Sequence, residues 1–395
     1  MNFPPTGSLP VFKDLVLLGG GHAHVTVLKR FGMEPVPGVR VTLVSRVVDT
    51  PYSGMLPGLI AGHYSRDEAH IDLQPLARFA RARTVFDEAI GLDLANRQVR
   101  IRDRPPISYD VLSIDIGSTP NLQVSGAAEH TVPVKPIDRL LDRWSTLITR
   151  LSAGDAIKRI AVVGGGAGGV ELLLAVQYAM HRLLARGGRS DAHLEYHLFT
   201  EGQLLPTYNA SVRRRFERIL AERQVRVHRD SAVVDVAAGV LRTADGRAHE
   251  IDETLWTTQA AAAAWLADSG LAVDDQGFVL VSRTLQSMSH AEVFAAGDIA
   301  AMVRDPRPKS GVFAVRQGPP LARNLRRALL NEPLEHYRPQ RQFLSLISTG
   351  DQYAIASRGP IAFEGAWVWR WKDWIDRRFM RSYTDLPEMP VPASP

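Results

Sequence analysis

A chain of 395 residues is longer than one hydrophobic core serves and points to two or three domains; 45% hydrophobic and 23% charged residues is a globular balance. Zero cysteines exclude disulfides, thiolate metal sites, iron–sulfur clusters and redox dithiols, so any redox chemistry here needs a bound cofactor to carry the electrons. The net charge of +5 comes from arginines interspersed with acids, without a zinc, helix-turn-helix or RNA-binding signature, so no nucleic-acid partner is expected.

Residues 1–10 have neither a basic n-region nor an apolar h-region, and no apolar run reaches the roughly eighteen residues of a membrane span. A cytoplasmic location is therefore expected. Leu15-Val16-Leu17-Leu18 is a short apolar run of the kind buried in a parallel sheet. Gly19-Gly20-Gly21-His22-Ala23-His24 follows, and then Val25, Val27 and Leu28 at helical spacing. Strand, glycine turn and helix in this order make a pyrophosphate-binding loop: Gly19 forms the turn and Gly21 lets phosphate approach a helix N-terminus. His24 stands at the third glycine position, and Gly19, Gly21, His22, Ala23 and His24 are the candidate contacts. The next strand, 39–44, ends in Ser45-Arg46, where such a site usually carries an acid for the ribose. Taken alone, this loop also reads as an ordinary β–α turn. A further strand over 109–116 ends at Gly117.

The second loop is the stronger one. After a strand at 160–163, Gly164-Gly165-Gly166-Ala167-Gly168-Gly169 fills all three glycine positions, and Leu172, Leu173, Val176 and Ala179 continue on a helix. The next strand, 194–199, ends at Thr200-Glu201, where a carboxylate accepts from an adenosine ribose and favours NADH over NADPH. Two such loops in one chain suggest two dinucleotides that meet. The apolar strand Glu292-Val293-Phe294-Ala295-Ala296 ends in Gly297-Asp298, an acid placed to accept from ribityl hydroxyls, which marks one of the two as FAD. His22, His24, His63 and His70 lack metal-ligand spacing, so no metal site is expected.

Four of the seven tryptophans fall in Trp367-Val368-Trp369-Arg370-Trp371-Lys372-Asp373-Trp374. On a helix Trp367, Trp371, Trp374 and Ile375 share a face, interrupted by Arg378. Tryptophans among arginines suit a membrane interface, so residues 367–381 are a candidate peripheral contact; packing on the flavin domain or on a dimer partner is the alternative.

With these residues in hand, the chain resembles the two-dinucleotide-binding flavoproteins of the pyridine nucleotide-disulfide oxidoreductase superfamily. Within it the chain is similar to type II NADH dehydrogenases, and most of all to the flavoprotein domain associated with selenide, water dikinase. The resemblance is carried by the first glycine loop, Asp49-Thr50-Pro51-Tyr52-Ser53-Gly54-Met55-Leu56-Pro57-Gly58, Val134-Lys135-Pro136-Ile137-Asp138, Arg316-Gln317-Gly318-Pro319-Pro320-Leu321-Ala322 and the tryptophan-rich segment. It implies an α/β fold of two Rossmann-like domains, with an NAD(P)H domain (119–283) inserted in a split FAD domain (1–118 and 284–332). A small α+β region, 333–395, is implied to follow as an interface or membrane contact.

The resemblance implies that Gly19, Gly21, Arg46, Pro51, Gly117, Gly297, Asp298 and Val312 contact FAD, with Asp298 the ribityl acid. Gly164, Gly166, Ala167, Gly169, Thr200 and Glu201 are implied for NADH or NADPH, and Glu171 for a place near the nicotinamide. A helix over 311–330 would lend its N-terminal dipole to the anionic reduced flavin, with Lys309 before it and Lys135 nearby; Gln317 corresponds to the quinone-site helix. Gln259 replaces a glycine near the nicotinamide. Without thiols, electrons should pass straight from flavin to a quinone or other small acceptor, from the inner face of the cytoplasmic membrane. The alternatives are a soluble flavoprotein acting on a selenium or sulfur compound, or a flavin-bound redox sensor.

Overall fold

The computed structural model describes residues 11–154, 157–191 and 193–387. Two five-stranded parallel sheets organise them. The first runs in the order Val293–Ala295, Val111–Ile114, Lys13–Leu18, Val39–Ser45, Arg83–Phe86. The second runs Val132–Pro133, Glu253–Trp256, Arg159–Val163, Glu195–Phe199, Arg226–His228. The central strands read as unbroken apolar runs because both faces are covered: Leu15, Val16, Leu17 and Ile160, Ala161, Val162 are all fully buried.

In the first unit the chain starts mid-sheet, steps two strands to one side, then returns to the other side of its first strand; the second unit repeats this from Arg159–Val163, after laying down the short edge strand Val132–Pro133. That reversal opens a crevice beyond the carboxyl ends of the strands, and both glycine loops lie there. A three-stranded antiparallel meander precedes each return strand: Ala89–Asp93, Gln98–Ile101 and Arg104–Ser108 in the first unit, Val233–Ala237, Val240–Thr243 and Ala248–Glu250 in the second. The chain enters the second unit after Thr119–Pro120 and leaves it through Ala260–Ala261, two short strands paired antiparallel. It then buries Leu266, Leu271 and Phe278 in the core of the first unit and adds Val293–Ala295 beside Val111–Ile114. The expected α/β fold, two Rossmann-like units with one set inside the other, is the fold observed.

The helix Gly311–Leu330 lies across the helix His22–Met33, and the closeness of the two is set at Gly318. A Cβ there would come 2.6 Å from Cβ of Thr26. The chain ends in a three-stranded antiparallel sheet, Ser345–Ser348, Ala354–Arg358 and Ile361–Gly365, followed by the helix Ala366–Thr384. This helix reaches back to the first unit through its polar inner face. Lys372 Nζ donates to Gly54 O at 2.5 Å and to Asp376 Oδ2 at 2.6 Å, and Tyr383 Oη meets Thr26 Oγ1 at 2.8 Å.

Replacing Gly318 by leucine forces the two crossed helices apart. The expected cost is about 1–3 kcal/mol, read from denaturant unfolding with FAD present. An unchanged midpoint would show that the helices do not touch at this position.

Candidate functional site

The first glycine loop is shaped by the strand beside it. Gly19 has φ +99°, and a Cβ there would lie 2.3 Å from the carbonyl oxygen of Asp115. Only glycine fits. The helix starting at His22 has Gly21 as its cap, with no side-chain cap of its own. The carboxylate of Asp115 serves instead, accepting from Ala23 N at 2.8 Å and His24 N at 3.1 Å.

His24 explains how the third glycine is dispensed with. Its buried ring has Nδ1 2.7 Å from Gly19 O and Nε2 2.8 Å from Ser113 Oγ. A carbonyl only accepts, so Nδ1 carries the proton and Nε2 accepts from the serine hydroxyl. Burial lowers its pKa to about 4, which keeps the ring neutral. His24 thus ties the glycine turn to the neighbouring strand from behind.

In front of the loop lies a cavity of about 690 Å³ between the two units. Its wall brings together Gly19, Gly21, His22, Arg46, Pro51, Gly117, Lys135, Glu171, Asp298, Lys309 and Val312, residues drawn from the whole length of the chain. Asp298 accepts from Lys135 Nζ at 2.7 Å and from Ser118 Oγ at 3.3 Å. Burial pushes the Asp298 carboxyl up, but the Lys135 ammonium outweighs it, with His22 and Lys309 assisting, and holds it below the usual range. His22 stands against the Tyr52 ring, centroids 5.4 Å apart, and burial lowers its pKa to about 4. Its Nε2 is buried with no hydrogen-bond partner. A Cβ on Gly117, φ +73°, would meet nothing within 4 Å. A polar atom in want of a partner, an open glycine and a paired acid on one wall suit an elongated polar ligand.

Three of the expected residues are turned elsewhere. Gln317 Oε1 accepts from Gly297 N at 2.6 Å, so this side chain props the Gly-Asp turn from beneath. Lys309 Nζ donates to Ala300 O at 2.7 Å and sits 3.8 Å above the Phe278 ring; burial lowers its pKa to about 8 against the pull of Asp274 and Asp298. Glu171 reaches the cavity, but its Oε1 accepts from Ser348 N at 2.7 Å and Ser348 Oγ at 3.0 Å, latching the second unit to the C-terminal sheet. Burial raises its pKa, with Lys372 opposing. Arg46 lies 3.6 Å from Asp138 in an ion pair across the cavity wall.

At the second loop, a Cβ on Gly164 would lie 2.4 Å from Thr257 Oγ1 and one on Gly169 2.0 Å from Gly164 O. Gly166 and Gly168 face open space, and the helix Ala167–Arg186 has no side-chain cap. A helix N-terminus without a side-chain cap, beside open space, is an arrangement that suits an anion. Thr200 is buried beside Gly165, and Glu201 is exposed at the strand end. Gln259 is exposed too and does not line the cavity. Among the described residues no group of three or more His, Asp or Glu could hold a metal. Asp115 and Tyr52 are the site residues that sequence reasoning passed over. An acid inside the apolar run Val111-Leu112-Ser113-Ile114-Asp115-Ile116 was the available signal for the first.

The family model for pyridine nucleotide-disulphide oxidoreductases matches residues 13–318. The chain is similar to the NADH dehydrogenase-like protein YutJ of Bacillus subtilis, 26% identical over 339 residues that span 83% of this chain and 87% of that protein. It is also similar to a type II NADH:quinone oxidoreductase of Haemophilus influenzae, 26% identical over 59% of each chain. Of solved structures, NDH2 from Plasmodium falciparum in complex with NADH has a TM-score of 0.78 at 14% identity, covering 95% of this chain and 99% of that one. The sulfide:quinone oxidoreductase of Aquifex aeolicus has a TM-score of 0.77 at 20% identity, covering 94% and 92%. The chain therefore belongs to the pyridine nucleotide-disulphide oxidoreductase family, whose members are FAD-dependent oxidoreductases of pyridine nucleotides.

Proposed function

We propose that this FAD-dependent NAD(P)H dehydrogenase passes electrons directly to a quinone or another small acceptor. The carrying observation is the cavity itself. It joins the first glycine loop, the Lys135–Asp298 pair and Glu171 of the second unit, in a chain that holds no thiol. FAD, when bound, supplies the chemistry: it accepts a hydride and releases two electrons.

The residues present fit FAD. Gly19, Gly21 and the helix beginning at His22 would receive its pyrophosphate, His22 Nε2 gains the partner it lacks, and Asp298 would accept from ribityl hydroxyls. Val312 lies at the N-terminus of Gly311–Leu330, whose dipole favours negative charge on a reduced ring. Lys309 adds a nearby charge, half-neutralised at pH values near its lowered pKa. In the second unit Gly164, Gly166, Ala167 and Gly169 would hold the pyrophosphate of NADH or NADPH, and Thr200 and Glu201 its adenosine ribose. An exposed carboxylate at that strand end favours NADH, because it repels a 2′-phosphate. For this reading the FAD unit comprises 1–118 and a returning segment that starts near residue 262, earlier than expected, because Leu266, Leu271 and Phe278 share its core.

The acceptor side rests on the C-terminal helix. Trp367, Trp371 and Trp374 are 50%, 39% and 55% exposed, beside Ile361 and Phe363 at 55% and 54% on the preceding strand. A patch of large apolar side chains rimmed by Arg370, Arg378 and Arg381 favours the surface of an anionic bilayer. No helix among the described residues is long and apolar enough to cross one.

Substituting Gly166 by valine should leave the protein yellow while slowing anaerobic bleaching by NADH at least a hundredfold, about 3 kcal/mol of binding and alignment. A variant that bleaches at the parental rate would remove the nucleotide from this loop. Asp298→Ala should emerge from purification largely without FAD; full retention would contradict the ribityl role. Trp371→Ala combined with Trp374→Ala should abolish flotation with phosphatidylglycerol vesicles without slowing flavin reduction by NADH. Equal flotation of parent and variant would end the membrane reading.

A further inference from the structure

The carboxylate that caps the first helix stands where a phosphate is expected. Asp115 is 2% exposed, at the end of the strand Val111–Ile114. The glycine loop closes over it: a Cβ on Gly21 would lie 2.3 Å from its Cγ. The Gly297-Asp298 turn closes from the other side, where a Cβ on Gly297 would lie 2.3 Å from Oδ1. Its Oδ2 already takes the N–H groups of Ala23 and His24, two of the donors that a helix N-terminus presents to an anion. Among the described residues no lysine or arginine pairs with it. The titratable groups around it are Asp298 on the turn and His24 on the helix, with His22 at the start of that helix, Lys135 and Lys309 grouped about Asp298.

Two anions cannot share those N–H groups in a water-poor pocket without repulsion. A carboxylic acid can stay where it is, and its O–H then donates to a phosphate oxygen. His22, whose buried Nε2 has no partner on the same wall, independently marks the place as one that a ligand completes. Resting on the assignment of FAD to this loop, we propose that Asp115 couples FAD binding to the uptake of one proton. In the free protein its carboxylate holds the loop in shape; when the pyrophosphate enters, the carboxylate takes a proton from solvent and remains as a neutral donor. The balance is one FAD and one proton in, with no bond broken elsewhere.

Burial, with Asp298 adding to it against the two N–H hydrogen bonds, pushes the Asp115 carboxyl up to about 7. A nearby pyrophosphate pushes it higher still. Affinity for FAD is then flat below about pH 7 and falls about tenfold for each unit above it, until the pKa of the bound state is reached. Lys309 also titrates near pH 8, so the parent profile alone does not assign the proton.

The test uses full-length protein stripped of FAD and titrated with FAD between about pH 6 and 9, following quenching of flavin fluorescence. Calorimetry at pH 8, in two buffers of different ionisation enthalpy, counts the protons. The parent should weaken about tenfold per unit above pH 7 and take up close to one proton. Asp115→Asn keeps the shape and the acceptor but cannot ionise; it should show a flat profile, no uptake and tighter binding than the parent at pH 9. Lys309→Met should keep the uptake. A parent that binds FAD without proton uptake overturns the proposal whether or not the variants fold, as does an Asp115→Asn protein with the parental slope. A chain that binds no FAD at any pH would instead overturn the cofactor assignment, and the proposal with it.

Discussion

The pair between Lys135 and Asp298 is the point on which the site turns. Lys135 stands where the chain has just entered the second unit, beyond the strand Val132–Pro133, and Asp298 stands where it has returned to the first. Their contact at 2.7 Å closes a loop that contains almost the entire second unit. It sets an acid and its counter-charge on the wall of the same cavity as the first glycine loop. Behind it the turn is held by Gln317 and by the strand Val293–Ala295, which enters the sheet only after the second unit is complete. A part-buried carboxylate without its partner is costly, so the pair ties the two crossings between the units to one another.

The glycines divide by what lies next to them. Gly19 and Gly164 are required by backbone that passes within hydrogen-bonding reach, and Gly169 by the carbonyl of Gly164. Gly166 and Gly117 are open toward ligand space. At the first loop the third glycine is absent, and the imidazole of His24 spans the gap it would have left. The two loops therefore solve one problem in two ways: the second leaves its helix N-terminus free, and the first already has an acid on it.

Elements governed by local pattern were legible in the sequence. Apolar runs gave away the central strands, glycine turns followed by periodic helices gave away the loops, and the Gly-Asp strand marked a return to the first sheet. What could not be read depended on contacts between distant segments. Gln317 was expected on a quinone-site helix, yet its side chain is buried under a turn twenty residues earlier. Glu171 reads as an acid after a phosphate loop, yet its partner is Ser348 in the C-terminal sheet. On the C-terminal helix the tryptophans mark the exposed face, while the opposite face docks through Lys372 and Asp376, a buried pair that hydropathy places outside. Charged side chains that point inward carry no periodic signature, since their cost is met by single partners far along the chain.

Direct transfer from flavin to acceptor has a stoichiometric consequence. A protein with FAD and a dithiol stores four electrons, whereas one with FAD alone stores two. Anaerobic titration of the holoprotein with NADH, followed at the flavin absorbance maximum, counts them. The account predicts complete bleaching at about one NADH per FAD and full return of colour on adding one equivalent of a soluble quinone. An endpoint near two NADH per FAD, or a flavin that NADH leaves oxidised, would contradict it.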